Sequence, residues 1–336
     1  MNCNLQILTR QPPDIKTFLQ VGGEVTVAER ELAKIPRYKI ANAGDKGLGV
    51  FALQVFRRGD LIVAEAPLFR IRKQDDGGPV DLLSVAAAVD RLSPEELQKY
   101  VSLKNAHAEG GRYDNPSLGI YSSNAFQMGS DHGGIVLETS RFNHSCSPNA
   151  RYSWNPDVRR MRVYALRDIA YGDEIFVSYL ASRGVYGSSR AERQTRLAKR
   201  YIFTCACTAC GLQGPAAIAS DERRLQITAL WEAVPHFPPQ QTRNRLLAIV
   251  EAIHLLEEEG YAADYDDFTN DAAAICAYHS DWASAKYWAT KTYETRVAEF
   301  GEDSYRAKEV KAMMLDPTTG PLAGMGPQQK FTDVRL

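Results

Sequence analysis

One ten-residue stretch, Arg141–Ala150, constrains this chain more than any other part of its 336 residues. It contains two asparagines, a histidine and a cysteine close to a turn-forming proline. No helical or strand periodicity survives across these residues, so packing alone does not explain their composition. Polar groups this dense, between two strand-like runs, indicate a functional site held on a rigid scaffold.

The six cysteines favour a metal site over a disulfide framework. Three of them, Cys205, Cys207 and Cys210, form a Cys-x-Cys-x-x-Cys pattern that does not suit disulfide bonding in a chain of this length. Tetrahedral structural zinc needs four soft ligands, so the fourth has to come from elsewhere. A redox-active thiol pair, or small buried residues on a turn, would be the alternative explanations. We predict zinc, and a reducing intracellular location in the nucleus, the cytoplasm or both.

Charge and hydropathy exclude several classes of partner. The chain has 40 basic and 41 acidic residues, so no global field favours nucleic acid or an anionic membrane. It contains no run of about 18 apolar residues, and Met1–Gln20 lacks the layout of a secretory signal. We therefore expect a soluble protein, a monomer, with neither membrane insertion nor direct nucleic-acid binding.

The N-terminal half alternates strand-like runs with turns. Strands are predicted to begin at Tyr38, Val50 and Leu61, with a glycine-rich loop between the first two. This loop has two interpretations: a β-hairpin turn in which Gly47 and Gly49 supply positive φ, or a place where missing Cβ atoms let a ligand lie against the backbone.

Helical patterns interrupt and then follow this β-rich region. After a predicted linker at 75–79, the segment Asp81–Val89 is alanine-rich and predicted to be helical, and Ser93 opens a second helix with a capping box. The residues Arg183–Arg200 form a basic helical run, which we interpret as a solvated helix face. Beyond residue 214, apolar residues from Leu246 to Leu256 repeat at helical spacing, and Asp281 is predicted to cap a later helix. Paired helices with alanine and aromatic positions suggest a tetratricopeptide-like array, and the tail after Asp316 is predicted to be mobile.

Together these motifs resemble those of SET-domain lysine methyltransferases, and most closely the SET-and-MYND-finger subfamily. The central motif reads Asn-His-Ser-Cys-x-Pro-Asn, and Gly172–Tyr179 is similar to the family's Gly-Glu-Glu segment that ends in a tyrosine. The motifs Lys46–Gly49, Asn124–Phe126 and Tyr201–Cys210 occur in the expected order. A MYND finger needs more cysteines and histidines than remain, so that module is expected to be absent, as in SET proteins of fungal type.

The resemblance implies methyl transfer from S-adenosylmethionine to a lysine of a protein or peptide. It makes Tyr179 the catalytic residue, places Tyr201 in the lysine channel, and adds Cys146 to Cys205, Cys207 and Cys210 as the fourth zinc ligand. It also implies a set of cofactor-binding residues, namely Lys46, Gly47, Leu48, Gly49, Asn124, Asn143, His144, Tyr179 and Phe203.

The predicted fold class is α+β: a β-rich SET fold with inserted helices, a zinc-bound post-SET segment and a C-terminal helical domain similar to tetratricopeptide repeats. The predicted divisions are an N-terminal segment 1–35, SET parts 36–75 and 119–182, a helical insertion 76–118, a post-SET segment 183–213 and a helical domain 214–336. Two other functions stay open: an enzyme that methylates a small-molecule amine, and a scaffold for protein interactions without catalysis.

Overall fold

The computed structural model describes residues 36–73, 81–109, 113, 115–181 and 185–336. The predicted N-terminal segment 1–35 and the predicted linker at 75–79 lie outside these residues. No helix in the described part of the chain has the length and apolar character needed to cross a membrane.

Ten short strands in the described residues form three sheets. The first sheet has the order β1 (Tyr38–Asn42), β2 (Leu48–Ala52), β10 (Glu174–Val177) and β7 (Asn143–His144). The second has the order β3 (Leu61–Glu65), β9 (Arg160–Ala165) and β8 (Ala150–Asn155), and the third has the order β4 (Phe69–Arg72), β6 (His132–Ile135) and β5 (Phe126–Gln127). The strands predicted near Tyr38, Val50 and Leu61 are confirmed.

Strand β10 organises the first sheet because it is paired on both sides. It runs antiparallel to β2, with Ile175 opposite Val50, and parallel to β7, with Phe176 opposite Asn143. The buried side chains of Val50, Ile175 and Val177 form the core beneath it. The polar residues of the central motif therefore lie at one edge of a packed sheet.

In the described residues between β4 and β5 lie three helices: α1 (Leu82–Val89), α2 (Pro94–Val101) and α3 (Pro116–Asn124). The capping box is confirmed, because the Ser93 hydroxyl accepts from the Glu96 N–H and the Glu96 carboxylate accepts from the Ser93 N–H. Helix α3 continues beyond residue 118, and the predicted bounds of the insertion stay a prediction.

After β10 the described chain is mainly helical up to Leu315. It comprises α4 (Arg190–Tyr201), α5 (Thr208–Gly211), α6 (Gly214–Ala233), α7 (Thr242–Glu258), α8 (Tyr265–Tyr278), α9 (Trp282–Phe300) and α10 (Tyr305–Leu315). The predicted apolar face of α7 is confirmed, since Leu246, Ile249 and Ile253 are fully buried. Helices α8, α9 and α10 pack against one another in sequence order.

The prediction of a mobile tail after Asp316 is wrong. Phe331 and Val334 are almost fully buried, and the Gly326 N–H donates to the carbonyl of Tyr278. Asp281, predicted to cap α9, lies at the N-cap position, but its carboxylate accepts from the Phe331 N–H at 2.7 Å instead. The tail thus packs on the helical region as part of its core.

Candidate functional site

The glycine loop between β1 and β2 gives the site one wall. Gly44 and Gly47 have positive φ, of 67° and 80°, and allow the tight turn. The prediction of positive φ at Gly49 is wrong. Gly49 is required for a different reason, because a Cβ there would lie 2.6 Å from Glu174 Oε1 and 2.9 Å from Asn143 Nδ2.

Glu174 connects that loop to the central motif. The Asn143 side-chain amide donates to Glu174 Oε1 at 2.8 Å and to the Leu48 carbonyl at 3.1 Å. Lys46 Nζ lies 2.7 Å from Glu174 Oε2, and the Glu174 side chain is only 11% exposed. The structure therefore brings together Lys46, Leu48, Gly49 and Asn143, which the sequence assigned to the cofactor.

Glu174 itself was not among the predicted site residues, although it lies in the Gly172–Tyr179 segment that carried the resemblance. Asn149, the last polar residue of the central motif, holds β10, the strand of Glu174, in place. The Asn149 amide donates to the Glu174 carbonyl at 3.0 Å and its Oδ1 accepts from the Phe176 N–H at 2.7 Å.

Tyr179 lies two residues beyond the end of β10, at the other side of the central motif. Its hydroxyl donates to the Phe142 carbonyl at 2.8 Å, and its backbone N–H donates to His144 Nδ1 at 2.9 Å. Burial raises the pKa of Tyr179 above its ordinary value. The phenol is therefore neutral at physiological pH.

Aromatic side chains surround Tyr179. The Tyr201 ring lies 4.9 Å from it, centroid to centroid, and the Tyr201 hydroxyl donates to the Tyr179 carbonyl at 3.3 Å. Phe203 makes edge contacts with both Tyr179 and His144, at 6.3 and 6.2 Å. Tyr152 packs on the same core cluster as Tyr179. It was not among the predicted site residues, because only its place in a predicted strand could be recognised from the sequence.

The αL conformation of Ile202, with φ of 57°, ends α4 between these two aromatic residues and turns the chain toward the cysteines. The sulfur atoms of Cys146, Cys205, Cys207 and Cys210 all lie within 4.8 Å of one another. Tetrahedral zinc with bonds of 2.3 Å needs sulfur separations of about 3.8 Å, and Cys146 Sγ and Cys210 Sγ are 3.6 Å apart. The predicted set of four thiols is assembled, and it fits zinc.

The four thiols differ electrostatically. Hydrogen bonds with Cys205, Cys207 and Cys210 raise the pKa of Cys146. Hydrogen bonds from Cys146 and the other two thiols lower the pKa of Cys207, because they stabilise its thiolate. Arg193 is fully buried and directs Nη2 at Cys210 Sγ, 3.9 Å away. The interpretation of the basic run as a solvated face is therefore wrong for Arg193, since helical spacing alone does not reveal which face packs on the cysteines.

His144 lies between the cysteine cluster and Tyr179 and is 6% exposed. Its Nε2 is 3.3 Å from Cys146 Sγ. Burial lowers the pKa of His144 to about 4, so the imidazole is neutral.

Asn124 is positioned by the insertion. Its amide donates to the carbonyls of Lys104 and Ile120, both at 2.7 Å, so both donors are engaged there. Phe126, two residues further, packs edge-on against Tyr152 at 4.9 Å and connects this segment to the aromatic group. A cofactor contact by Asn124 stays a prediction.

Comparison with known proteins agrees with this geometry. The SET domain family matches residues 47–180. The chain is 30% identical, over 85% of its length and 86% of the relative's, to "Histone-lysine N-methyltransferase set5" of Schizosaccharomyces pombe. It is 25% identical to "N-lysine methyltransferase SMYD2" of Mus musculus over 47% of this chain and 39% of that protein.

A solved structure of a putative histone methyltransferase from Plasmodium falciparum is also similar, at 19% identity and a TM-score of 0.25, over 44% of this chain and 95% of that one. A score this low supports no argument about shape. The long match to the fission-yeast protein is sufficient by itself: this chain belongs to the SET-domain family of lysine methyltransferases.

Proposed function

We propose that this protein transfers a methyl group from S-adenosylmethionine to the ε-amine of a lysine in a protein. The observation that carries the proposal is the arrangement at one sheet edge. Lys46 and Glu174, together with the Asn143 amide, form a charged group. The Tyr179–Tyr201 pair adjoins the next residue of the central motif, His144. A methyl donor and a methyl acceptor need two adjoining binding sites, and these two groups of side chains could form them.

The charged group suits the amino-acid end of the cofactor. Lys46 offers an ammonium to a carboxylate, and Glu174 together with the Asn143 side-chain oxygen offers acceptors to an ammonium. Gly47 leaves the backbone open to a ligand, whereas Gly49 lets Glu174 and Asn143 approach the loop closely. The His144 backbone lies next in β7, and Phe203 offers a ring face for a purine. Once bound, the cofactor supplies an electrophilic methyl group on a sulfonium.

Tyr179 would orient the reacting amine. Lysine has an ordinary pKa near 10.4, so it has to lose a proton before it can attack, and an apolar channel lowers its pKa. The Tyr179 phenol is buried, neutral and fixed by the Phe142 carbonyl, and Tyr201 restricts the other side of the channel. Positioning of this kind supplies much of the acceleration in a displacement reaction.

Cys146, Cys205, Cys207 and Cys210 would hold one structural zinc ion. The ligands on the C-terminal side follow directly after Tyr201 and Phe203, whereas Cys146 belongs to the central motif. Zinc would thereby fasten the segment that carries both aromatic residues to the edge of the sheet.

The name of the fission-yeast relative makes histones the first substrates to test, and a histone substrate would imply a role in the nucleus, the cytoplasm or both. The experiment combines calorimetric titration of S-adenosylmethionine with mass spectrometry of core histones incubated with enzyme and cofactor. We expect saturable binding and a mass increase on lysine. Binding together with methylation of small amines only, or zinc without cofactor binding, would contradict the proposal.

Tyr179→Phe tests the proposed role of the phenol. We expect the rate of methyl transfer to fall about 100-fold, with cofactor binding retained. Tyr100→Phe is the matched control, because Tyr100 is also buried and donates its hydroxyl to a backbone carbonyl, that of Ser117, at 2.6 Å within the insertion. Equal rates in the two variants would rule out the role given to Tyr179.

A further inference from the structure

The His144 side chain has both ring nitrogens engaged. Nδ1 accepts the backbone N–H of Tyr179 at 2.9 Å, and Nε2 faces Cys146 Sγ at 3.3 Å. With 6% of its surface exposed, the imidazole has no free nitrogen for a ligand or for proton transfer to solvent. The His144 side chain can therefore act by positioning the groups that it contacts.

The contact with Tyr179 determines the tautomer. An N–H donor directed at Nδ1 requires a lone pair there, so the proton of the neutral ring lies on Nε2. The Nε2–H group then donates to Cys146 Sγ, and sulfur accepts best as a thiolate, the form in which it binds a metal. The ring therefore joins the sulfur of a proposed zinc ligand, Cys146, to the backbone of Tyr179.

Tyr179 depends on this contact because the β ladder ends before it. The last pair between β10 and β7 joins Val177 to His144, and the Ser145 N–H donates to the Val177 carbonyl at 3.0 Å. Beyond this last pair, the Tyr179 N–H donates to the His144 side chain instead of to a strand carbonyl.

We propose that His144 is a positioning residue that couples the metal state of the four cysteines to the placement of Tyr179. Metal binding fixes Cys146 Sγ, Cys146 fixes the His144 ring, and the ring fixes the Tyr179 backbone from which the phenol extends. The inference rests on the proposed function for its effect on catalysis, whereas the coupling itself can be measured without methyl transfer.

The first measurement uses the full zinc-loaded chain labelled with ¹⁵N-histidine and ¹⁵N-tyrosine. Long-range proton–nitrogen spectra should give the Nε2–H tautomer for His144. Replacement of Zn²⁺ by Cd²⁺, which forms longer bonds to sulfur, should shift the signals of His144 Nε2 and the Tyr179 amide. The proposal would be overturned by an Nδ1–H tautomer, by a Tyr179 amide signal that does not change when Cd²⁺ replaces Zn²⁺, or by a chain that binds neither metal.

The second measurement uses His144→Phe, which keeps a ring but removes both hydrogen bonds. We expect the response of the Tyr179 amide to Cd²⁺ to disappear, and kcat to fall by about 10-fold or more while KM for S-adenosylmethionine changes by less than about threefold. The matched control is His279→Phe, because His279 is also buried and contacts Thr242 Oγ1 at 3.1 Å and the Pro327 carbonyl at 2.7 Å in the helical region.

A His144→Phe chain whose Tyr179 amide still responds to Cd²⁺ as the His279→Phe chain does would overturn the coupling. If His144→Phe does not fold, the tautomer and metal-exchange measurements on the wild-type chain decide the question. A wild-type chain that transfers no methyl group would contradict the proposed function but leave those two measurements valid.

Discussion

The described residues include two buried groups of side chains of the kinds that bind metals, and the two groups differ in their counter-charges. The four cysteines meet between the central motif and α5, with sulfur atoms within 4.8 Å of one another. Asp264, Asp266 and Glu299 meet between α8 and α9, with oxygen atoms within the same distance. By spacing alone, either group could hold an ion.

The carboxylates are already neutralised by arginines. Arg151 Nη1, from β8, lies 2.6 Å from Asp264 Oδ1 and 2.7 Å from Glu299 Oε2, and Arg296 Nε lies 3.0 Å from Asp266 Oδ2. Among the described residues, Arg193 Nη2 lies 3.9 Å from Cys210 Sγ, and Arg224 donates to the Cys146 backbone carbonyl at 3.4 Å rather than to a sulfur. A converging set of ligands therefore indicates a metal only where the protein itself has not already supplied the cation. The carboxylates, with Arg151, instead join the SET region to the helical region.

Removal of one thiol should produce the largest effect. We expect Cys205→Ser to lose most of its bound zinc and several kcal/mol of stability, because structural zinc couples binding to folding. Cys276→Ser is the control, since Cys276 is equally buried but lies in α8 outside the cysteine group. Zinc content by atomic absorption and the melting temperature measure both effects; full zinc content in Cys205→Ser would refute the four-thiol site.

Removal of the arginine from the carboxylate group should have the next largest effect. Arg151→Met leaves two buried carboxylates without their shared cation, and breaking such a group costs about 3–5 kcal/mol. Urea denaturation measures the loss, which should not be accompanied by loss of zinc. The control Arg57→Met removes an exposed pair with Asp168 and should have little effect. If the two variants were equally stable, the carboxylates would not depend on Arg151.

Local patterns predicted several strands and helices of this fold, because those elements depend on residues close in sequence, but they did not predict the helix α3. The apolar face of α7 and the capping box at Ser93 are of this kind. The convergence of Cys146 with the later cysteines was predicted from family resemblance, since 59 residues separate Cys146 from Cys205 and no local period connects them.

Features that depend on distant partners were missed or misassigned. The burial of Arg193 depends on where the cysteines lie, and the bond from Asp281 to Phe331 depends on how the tail returns. Glu174 lay inside a recognised motif, yet its importance follows from Lys46 and Asn143, which come from two other strands or loops. Each case pairs groups whose separation along the chain leaves no pattern in the sequence.

Glu174 extends the comparison to a carboxylate that is only partly neutralised. Its ion-pair partner, Lys46, is 47% exposed, so the pair stays open to a ligand. We expect Glu174→Gln to weaken S-adenosylmethionine binding about tenfold in calorimetry, because the loss of one charge-assisted contact costs roughly 1.4 kcal/mol. Asp173→Asn is the adjacent control, since Asp173 is exposed and accepts only from the Ala170 N–H in the turn. Similar affinities in the two variants would remove Glu174 from the cofactor site.

The titration of Glu299 should produce the smallest effect. Burial first, and then Asp264 and Asp266, raise the pKa of Glu299 from 4.5 to about 8, whereas Arg151 lowers it. Because the folded pKa exceeds the unfolded one, the stabilisation is complete below about 4.5 and is lost as the pH rises through about 8. The free energy of unfolding should therefore fall by about 1 kcal/mol between about pH 7 and about pH 8. Urea denaturation of the zinc-loaded protein should show a smaller fall in Glu299→Gln, which cannot ionise; equal falls would mean that Arg151 keeps both of its carboxylates charged throughout this range.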